Sequence, residues 1–300
     1  MTDYAALLRA FGVPRLVGTG NHIQVRERLK RELTARGFSV EEHTFTGPPS
    51  RMLLGTPRLI HGVNLIGIRS VGPSVHPSIW LAAHYDSKGQ PISMATRLLG
   101  AVASVLGAVG TLVALALSWS LLPPLAILVI GLAILAGNRV TDGSAGALDN
   151  GTGLVTILAI LDALPKGAEI GVLFLDAEEY GLVGARALVR DRAALIQGSA
   201  VINFDSLDDR GGCITFLHRP GAIGKAVAAE LGGLRARWLP VLVDGIELGR
   251  GPVRECVTIM KGNWGTARVV HTPRDTVERL TLEGVGKVIE GVVRALLIPL

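Results

Sequence analysis

The most regular patterns in the chain are short apolar runs separated by stretches with helical spacing. VNLIGIR (63–69), IWLAAH (79–84), EIGVLFLD (169–176) and AVINFD (200–205) are runs of the kind buried on both faces of a sheet. Between and around them lie segments with a period near 3.6. Val25, Leu29 and Leu33 recur every fourth position in 22–36, and Gly37 follows as a stop. TGLVTILAILDAL (152–164) has helix length and ends before Pro165. Val285, Val288, Ile289, Val292, Val293 and Leu296 share one face of a C-terminal helix. Strands alternating with helices predict an α/β domain with a mixed, mostly parallel central sheet flanked by helices. The basic residues of 22–36 (Arg26, Arg28, Lys30, Arg31, Arg36) read as a solvated helix face more readily than as a membrane-docking surface.

A third pattern breaks the alternation. From Leu98 to Asn138 there are 41 residues without a charge, bracketed by Arg97 and Arg139. Leu98 to about Leu117 is long enough to cross a bilayer core of roughly 30 Å. SWSLLPP (118–124) has a tryptophan suited to an interface and prolines suited to a turn, and a shorter apolar segment, about 121–137, follows. Gly100, Ala103, Gly107, Gly110, Ala133 and Gly137 would let two such helices pack closely. The expectation is a transmembrane hairpin over 95–139 inserted into a domain built from 1–94 and 140–300. A buried hairpin in a soluble core and an apolar dimer contact are the rival readings. A hairpin returns the chain to its starting side, and the arginines at its open end place the catalytic domain on the cytoplasmic face of an integral membrane protein.

Composition narrows the function. Of 300 residues, 49% are hydrophobic and 18% charged, enough for a large core with some membrane content. A net charge of +5 without a basic tail argues against nucleic acid and suits an anionic lipid surface. The two cysteines, Cys213 and Cys256, form no CxxC pair and read as reduced core residues. The first 18 residues are too polar for a signal peptide. No pattern speaks to oligomeric state.

The candidate chemistry is spread over five fragments: His84 in HYDS, Asp149 in ALDNGTG, Glu179 in DAEEYG, Asp205 in NFDS and His271 in HTPRDT. Each alone is weak. Together they supply two imidazoles and three carboxylates, the donor count for two zinc ions sharing one carboxylate. His84, Asp176 to Glu179 and Asp205 each follow a strand-like run, where open α/β sheets collect ligands. Glu178 is left over beside a ligand as a candidate general base. Asp86 is placed to accept a hydrogen bond from the non-metal nitrogen of His84, and Asp275 to support the His271 loop. His22, His43, His61, His76 and His218 read as ordinary surface or core histidines.

HYDS, GALDNGTG, FLDAEEYGLVGA, NFD and HTPRDT, in this order, resemble the motifs of the M28 family of co-catalytic zinc aminopeptidases. PRLVGTGNH near the N-terminus is similar too, and the likeness covers nearly the whole chain outside the insert. It implies an eight-stranded mixed sheet and two Zn2+ per chain, though cobalt or manganese suits the same donors. It implies that Asp149 bridges the metals, His84 and Asp205 complete one site, and Glu179 and His271 complete the other. Glu178 then takes a proton from the water between the ions, with Asp86 supporting the catalytic set. The substrate would be a peptide with a free N-terminus. Two departures stand out: the 65-residue gap from His84 to Asp149, and LVDGIELGRGPVREC (242–256), which lacks the serine–aspartate–histidine signature many members carry there. The rivals are a glutaminyl cyclase-like single-zinc acyltransferase, which also carries HYDSK-like segments, and a non-catalytic peptidase-like binding domain.

Overall fold

The computed structural model describes residues 2–50, 54–69, 77–237 and 241–297; His76 lies outside them. Two helices, α1 (Tyr4–Phe11) and α2 (Gly20–Ala35), lead into strands β1 (Ser39–Gly47), β2 (Ile60–Ile68) and β3 (Ile79–His84). After β3 come α3 (Met94–Ala116) and α4 (Leu122–Ala136), then α5 (Thr152–Ala163), β4 (Ile170–Leu175), α6 (Val183–Asp191) and β5 (Ala200–Leu207). The remainder is β6 (Gly212–Arg219), α7 (Ala222–Leu231), β7 (Leu234–Ala236), α8 (Gly245–Arg250), β8 (Glu255–Gly262), α9 (Trp264–Ala267) and α10 (Glu283–Leu297).

The strands form one eight-stranded mixed sheet in the order β1-β2-β4-β3-β5-β8-β6-β7. β4, β3, β5 and β8 are mutually parallel at its centre, while β1, β2 and β6 join antiparallel. Side chains alternate across a strand, and β3 shows how this builds two cores. Leu81 and Ala83 point into a core shared with α1, α2, α5, α7 and α10, whereas Trp80 and Ala82 point into a second core beneath α6 and α8. β3, β4 and β5 read as continuous apolar runs because both of their faces are covered. Helix α2 buries Val25, Leu29 and Leu33 as expected. Its basic side is a solvated, ion-paired face: Arg28 meets Glu32, Lys30 meets Glu42, and Arg36 meets Glu32 and Asp162. Cys213 and Cys256 are both free, the first half-buried and the second buried.

The uncharged segment forms two packed helices that stand away from both cores. Ser93 caps α3, accepting from Thr96 N, so this helix begins four residues before the uncharged run. Pro123 and Pro124 sit in the first turn of α4, where a missing N–H costs no hydrogen bond, rather than in the preceding turn. The two helices touch through small residues. A Cβ on Gly107 would lie 2.4 Å from Leu128 N, and one on Gly131 would lie 2.5 Å from Ser104 Oγ. Leu112 on α3, Trp119 in the turn and Leu122 at the start of α4 are 68%, 65% and 77% exposed. These are therefore not core helices. By length and composition α3 could cross a membrane, at 23 residues or about 34 Å, whereas α4 has 15 residues, or about 22 Å.

The neck of the hairpin is clasped by main chain. Gly89 N donates to Thr141 O and Thr141 N to Gly89 O, and Val140 N donates to Leu54 O. Because the helix contact is backbone-close at Gly107, Gly107→Leu should force the helices apart. We expect a loss of about 1–3 kcal/mol in unfolding free energy, measured by denaturation of the detergent-solubilised protein, with Ala108→Leu on an exposed position as control.

Candidate metal centre

Three adjacent parallel strands deliver three of the candidate ligands to one edge of the sheet. His84 is the last residue of β3, Glu178 and Glu179 follow the end of β4, and Asp205 lies near the end of β5. Asp149 comes from the turn before α5 and His271 from the turn after α9. The chain leaves these strands sharply. Ala177, Ser206 and His271 itself adopt left-handed backbone conformations, with φ of 56°, 52° and 65°, which non-glycine residues occupy at a cost of order 1 kcal/mol. The Asp149–Asn150 peptide bond is cis.

All five sequence-selected ligands converge, as two buried triads. Ligand atoms of His84, Asp149 and Asp205 lie within 4.8 Å of one another, and so do those of Asp149, Glu179 and His271. Asp149 belongs to both: one oxygen stands 3.2 Å from His84 Nε2 and the other 3.0 Å from His271 Nε2. His271 Nε2 is also 3.0 Å from Glu179 Oε2. His84 Nε2 and Glu179 Oε1 are buried without a hydrogen-bond partner, although His84 Nε2 is close to Asp149. Buried nitrogen and oxygen donors left open toward a shared space, in a two-imidazole, three-carboxylate set, fit zinc.

The supporting shell departs in detail from the sequence expectation. The nearer partner of His84 Nδ1 is the Asp86 carbonyl at 3.2 Å, with the Asp86 carboxylate at 3.5 Å. That carboxylate instead accepts from Glu178 N and Glu179 N, both at 3.1 Å, and so holds the general-base candidate and a ligand together. Asp275 accepts from Leu148 N and Asp149 N, at 2.7 and 3.2 Å. It ties the His271 loop to the Asp149 turn rather than bracing His271. Asp176, at the end of β4, turns away from the ligands. It accepts from Val63 N and Tyr85 OH and faces His22 Nε2 at 2.8 Å, which makes His22 a core histidine.

Three residues were not singled out by sequence. Lys88 places Nζ 3.0 Å from Glu179 Oε2. Arg15 is fully buried and donates to the carbonyls of Phe11, Val13, Tyr85, Ala145 and Gly146, stitching the exit of β3 to the Asp149 turn. Asp244, just before α8, is buried with neither carboxylate oxygen hydrogen-bonded. It lies in the segment 242–256, which lacks the serine–aspartate–histidine signature. Only Lys88 had a local signal, as the residue completing HYDSK.

Burial and neighbouring charge pull the carboxylates apart. Burial raises Glu178 well above the usual range, with Glu179 and Asp205 adding to it against the pull of His84. Burial and then Asp149 push Asp205 up to about 7. Glu179 goes the other way, to about 2, because His271 and Lys88 outweigh the upward push of burial. For Asp149 too, His271 and His84 outweigh burial and hold it low. His84 is raised well above its ordinary value: burial acts to lower it, but Asp149 and Asp86 overcome that.

A zinc ligand must shed its proton. As pH falls through 7, Asp205 and the raised His84 hold protons that the metal must displace. Zinc affinity should therefore weaken on acidification, by about tenfold or more from pH 8 to pH 6, as read by competition with a chromophoric chelator. Arg15→Met removes a buried cation and its hydrogen bonds to five carbonyls, of which Phe11 O and Gly146 O keep a backbone donor. It should cost about 3 kcal/mol or more of stability, seen as a lower denaturation midpoint.

Comparison with known proteins bears on the fold and the family. No curated protein matched the sequence. Among solved structures, Porphyromonas gingivalis glutaminyl cyclase superposes with a TM-score of 0.65 at 20% identity, covering 98% of this chain and 95% of that one. BSAP, a zinc aminopeptidase from Bacillus subtilis, superposes at 0.64 with 13% identity, covering 98% and 93%. The aminopeptidase from Aneurinibacillus sp. strain AM-1 follows at 0.62 with 12% identity, covering 98% and 92%. At these identities the likeness is one of fold. The family model described as Peptidase family M28 matches residues 64–237, more than half of the sequence, and this chain belongs to that family.

Proposed function

We propose that this protein is a membrane-anchored metallo-aminopeptidase, which removes the N-terminal residue of peptides using two zinc ions. The observation that carries the reading is the pair of buried triads sharing Asp149, with Glu178 left free beside them on the wall of the same cleft. His84 and Asp205 would hold one ion, Glu179 and His271 the other, and Asp149 both. When bound, the ions would supply Lewis acidity to polarise the scissile carbonyl and acidify a water.

The remaining chemistry falls to the chain's own groups. Glu178 accepts the proton of the attacking water on its carboxylate and delivers it to the leaving amine. Burial raises its proton affinity, which suits a group that must hold a proton between two steps. Asp86 fixes the backbone of Glu178 and Glu179, and Asp275 fixes that of Asp149. The exposed apolar hairpin supports membrane anchoring, with 95–139 as the anchor and 1–94 and 140–300 as the catalytic domain. Arg97 and Arg139 at its neck support a cytoplasmic catalytic face.

One observation favours a second reading, a single-zinc glutaminyl cyclase. Lys88 places an ammonium against Glu179, where it would compete with a cation in that triad. Metal content separates the two: two zinc ions per chain supports the peptidase, and one supports the cyclase. Glu178→Gln should keep the metal while lowering peptide hydrolysis about 10³-fold. Mass spectrometry of a peptide panel would show stepwise loss of N-terminal residues with the wild type alone. Loss of ammonia from N-terminal glutamine would sink the peptidase reading.

A further inference from the structure

The hairpin and the metal centre share a wall. Met94 and Leu98 of α3, and Leu135 near the end of α4, line a cleft of about 330 Å³ whose opposite side is formed by Asp149, Glu178 and Glu179. Arg97, between those two α3 positions, reaches His271 Nδ1 at 2.8 Å. Beyond Arg97 and Leu98, α3 continues into the exposed apolar surface of the hairpin. Leu99 is 57% exposed and Val102 55%, one helical turn or less from Leu98. The cleft thus opens at the root of the apolar segment, where a bilayer surface would lie if the hairpin were inserted.

Scale makes this specific. One turn of helix rises 5.4 Å, and extended peptide advances about 3.3 Å per residue. A substrate held by its N-terminus in the cleft would reach the exposed part of α3 after only a few residues. A soluble peptide gains nothing from that proximity, whereas a peptide anchored in the same bilayer does.

We infer that the substrates are peptides anchored to the membrane within a few residues of their free N-terminus, with an apolar side chain seated against Met94, Leu98 and Leu135. This inference rests on the membrane-anchored peptidase reading. It makes the insert part of the substrate site: the hairpin sets which N-termini can reach the ligands, and the carboxylate side of the cleft does the chemistry.

The test uses the zinc-loaded full chain in phosphatidylcholine–phosphatidylglycerol vesicles and three peptides of one N-terminal sequence. One is soluble, one carries a palmitoyl-lysine at about the fifth residue, and one carries it at about the twenty-fifth, roughly 80 Å of extended chain. Mass spectrometry measures release of the first residue. The short-anchored peptide should be cleaved at least as efficiently as the long-anchored one. Leu98→Asn should lower that short-to-long ratio about tenfold through KM, as loss of an apolar seat does. A wild-type enzyme that cleaves the long-anchored peptide and spares the short one overturns the inference while leaving the peptidase intact. So does a ratio that Leu98→Asn and Leu135→Asn both leave unmoved. Protein that hydrolyses the soluble peptide but does not float with vesicles removes the membrane reading, and this inference with it. No cleavage in any format removes the peptidase reading itself, and the inference falls too.

Discussion

Asp86, Asp149, Glu178, Glu179, Asp205 and Asp275 are all buried around one cleft. Like charges at such range in a medium of low polarisability repel strongly. Much of the surrounding architecture meets that requirement. Backbone amides of Leu148, Asp149, Glu178 and Glu179 are spent on Asp275 and Asp86. Two imidazoles, the Lys88 ammonium and the buried Arg15 guanidinium supply positive charge. The parallel strands at the sheet centre bring the acids together, and the loops bring what makes them tolerable. Two metal ions would complete the same balance, so the donors that position the ligands and the charges that stabilise them belong to one network.

Much of this was legible in the sequence because it is local. The apolar runs of β3, β4 and β5 end in His84, the Glu178–Glu179 pair and Asp205, and the rule that ligands gather at strand ends needs no more than that. The hairpin announced itself by the absence of charge. What stayed hidden is non-local. Arg15 sits in a polar-looking segment, and its burial follows only when the exit of β3 and the turn at 145–146 close around it. Asp86 lies beside His84 as expected, but its carboxylate also binds the amides of Glu178 and Glu179, and that of Asp275 binds those of Leu148 and Asp149. A hydrogen-bond partner more than ninety residues away leaves no periodicity to read. Strands β6 and β7 lie at the far edge and are part-exposed, so they lack the uninterrupted apolar signature of the central strands.

The insert shows how a fold accommodates a foreign element. Its helices pack chiefly on each other, through Gly107 and Gly131, and its ends meet at the Gly89–Thr141 clasp. Ends held this close make the intervening length nearly immaterial to the domain's stability. The sheet order and the triad geometry therefore persist across the 64 residues that separate two members of one triad.

That separation also fixes an order of assembly. His84 leaves the ribosome before the hairpin, and Asp149 only after it. The imidazole and carboxylate of that triad come together only where the two ends of the segment are held side by side, as the Gly89–Thr141 clasp holds them. A chain stalled anywhere within the hairpin lacks the second and third members of the His84–Asp149–Asp205 triad. The interruption thus sets an order: the triad can form only after the whole segment between its first two members has been made.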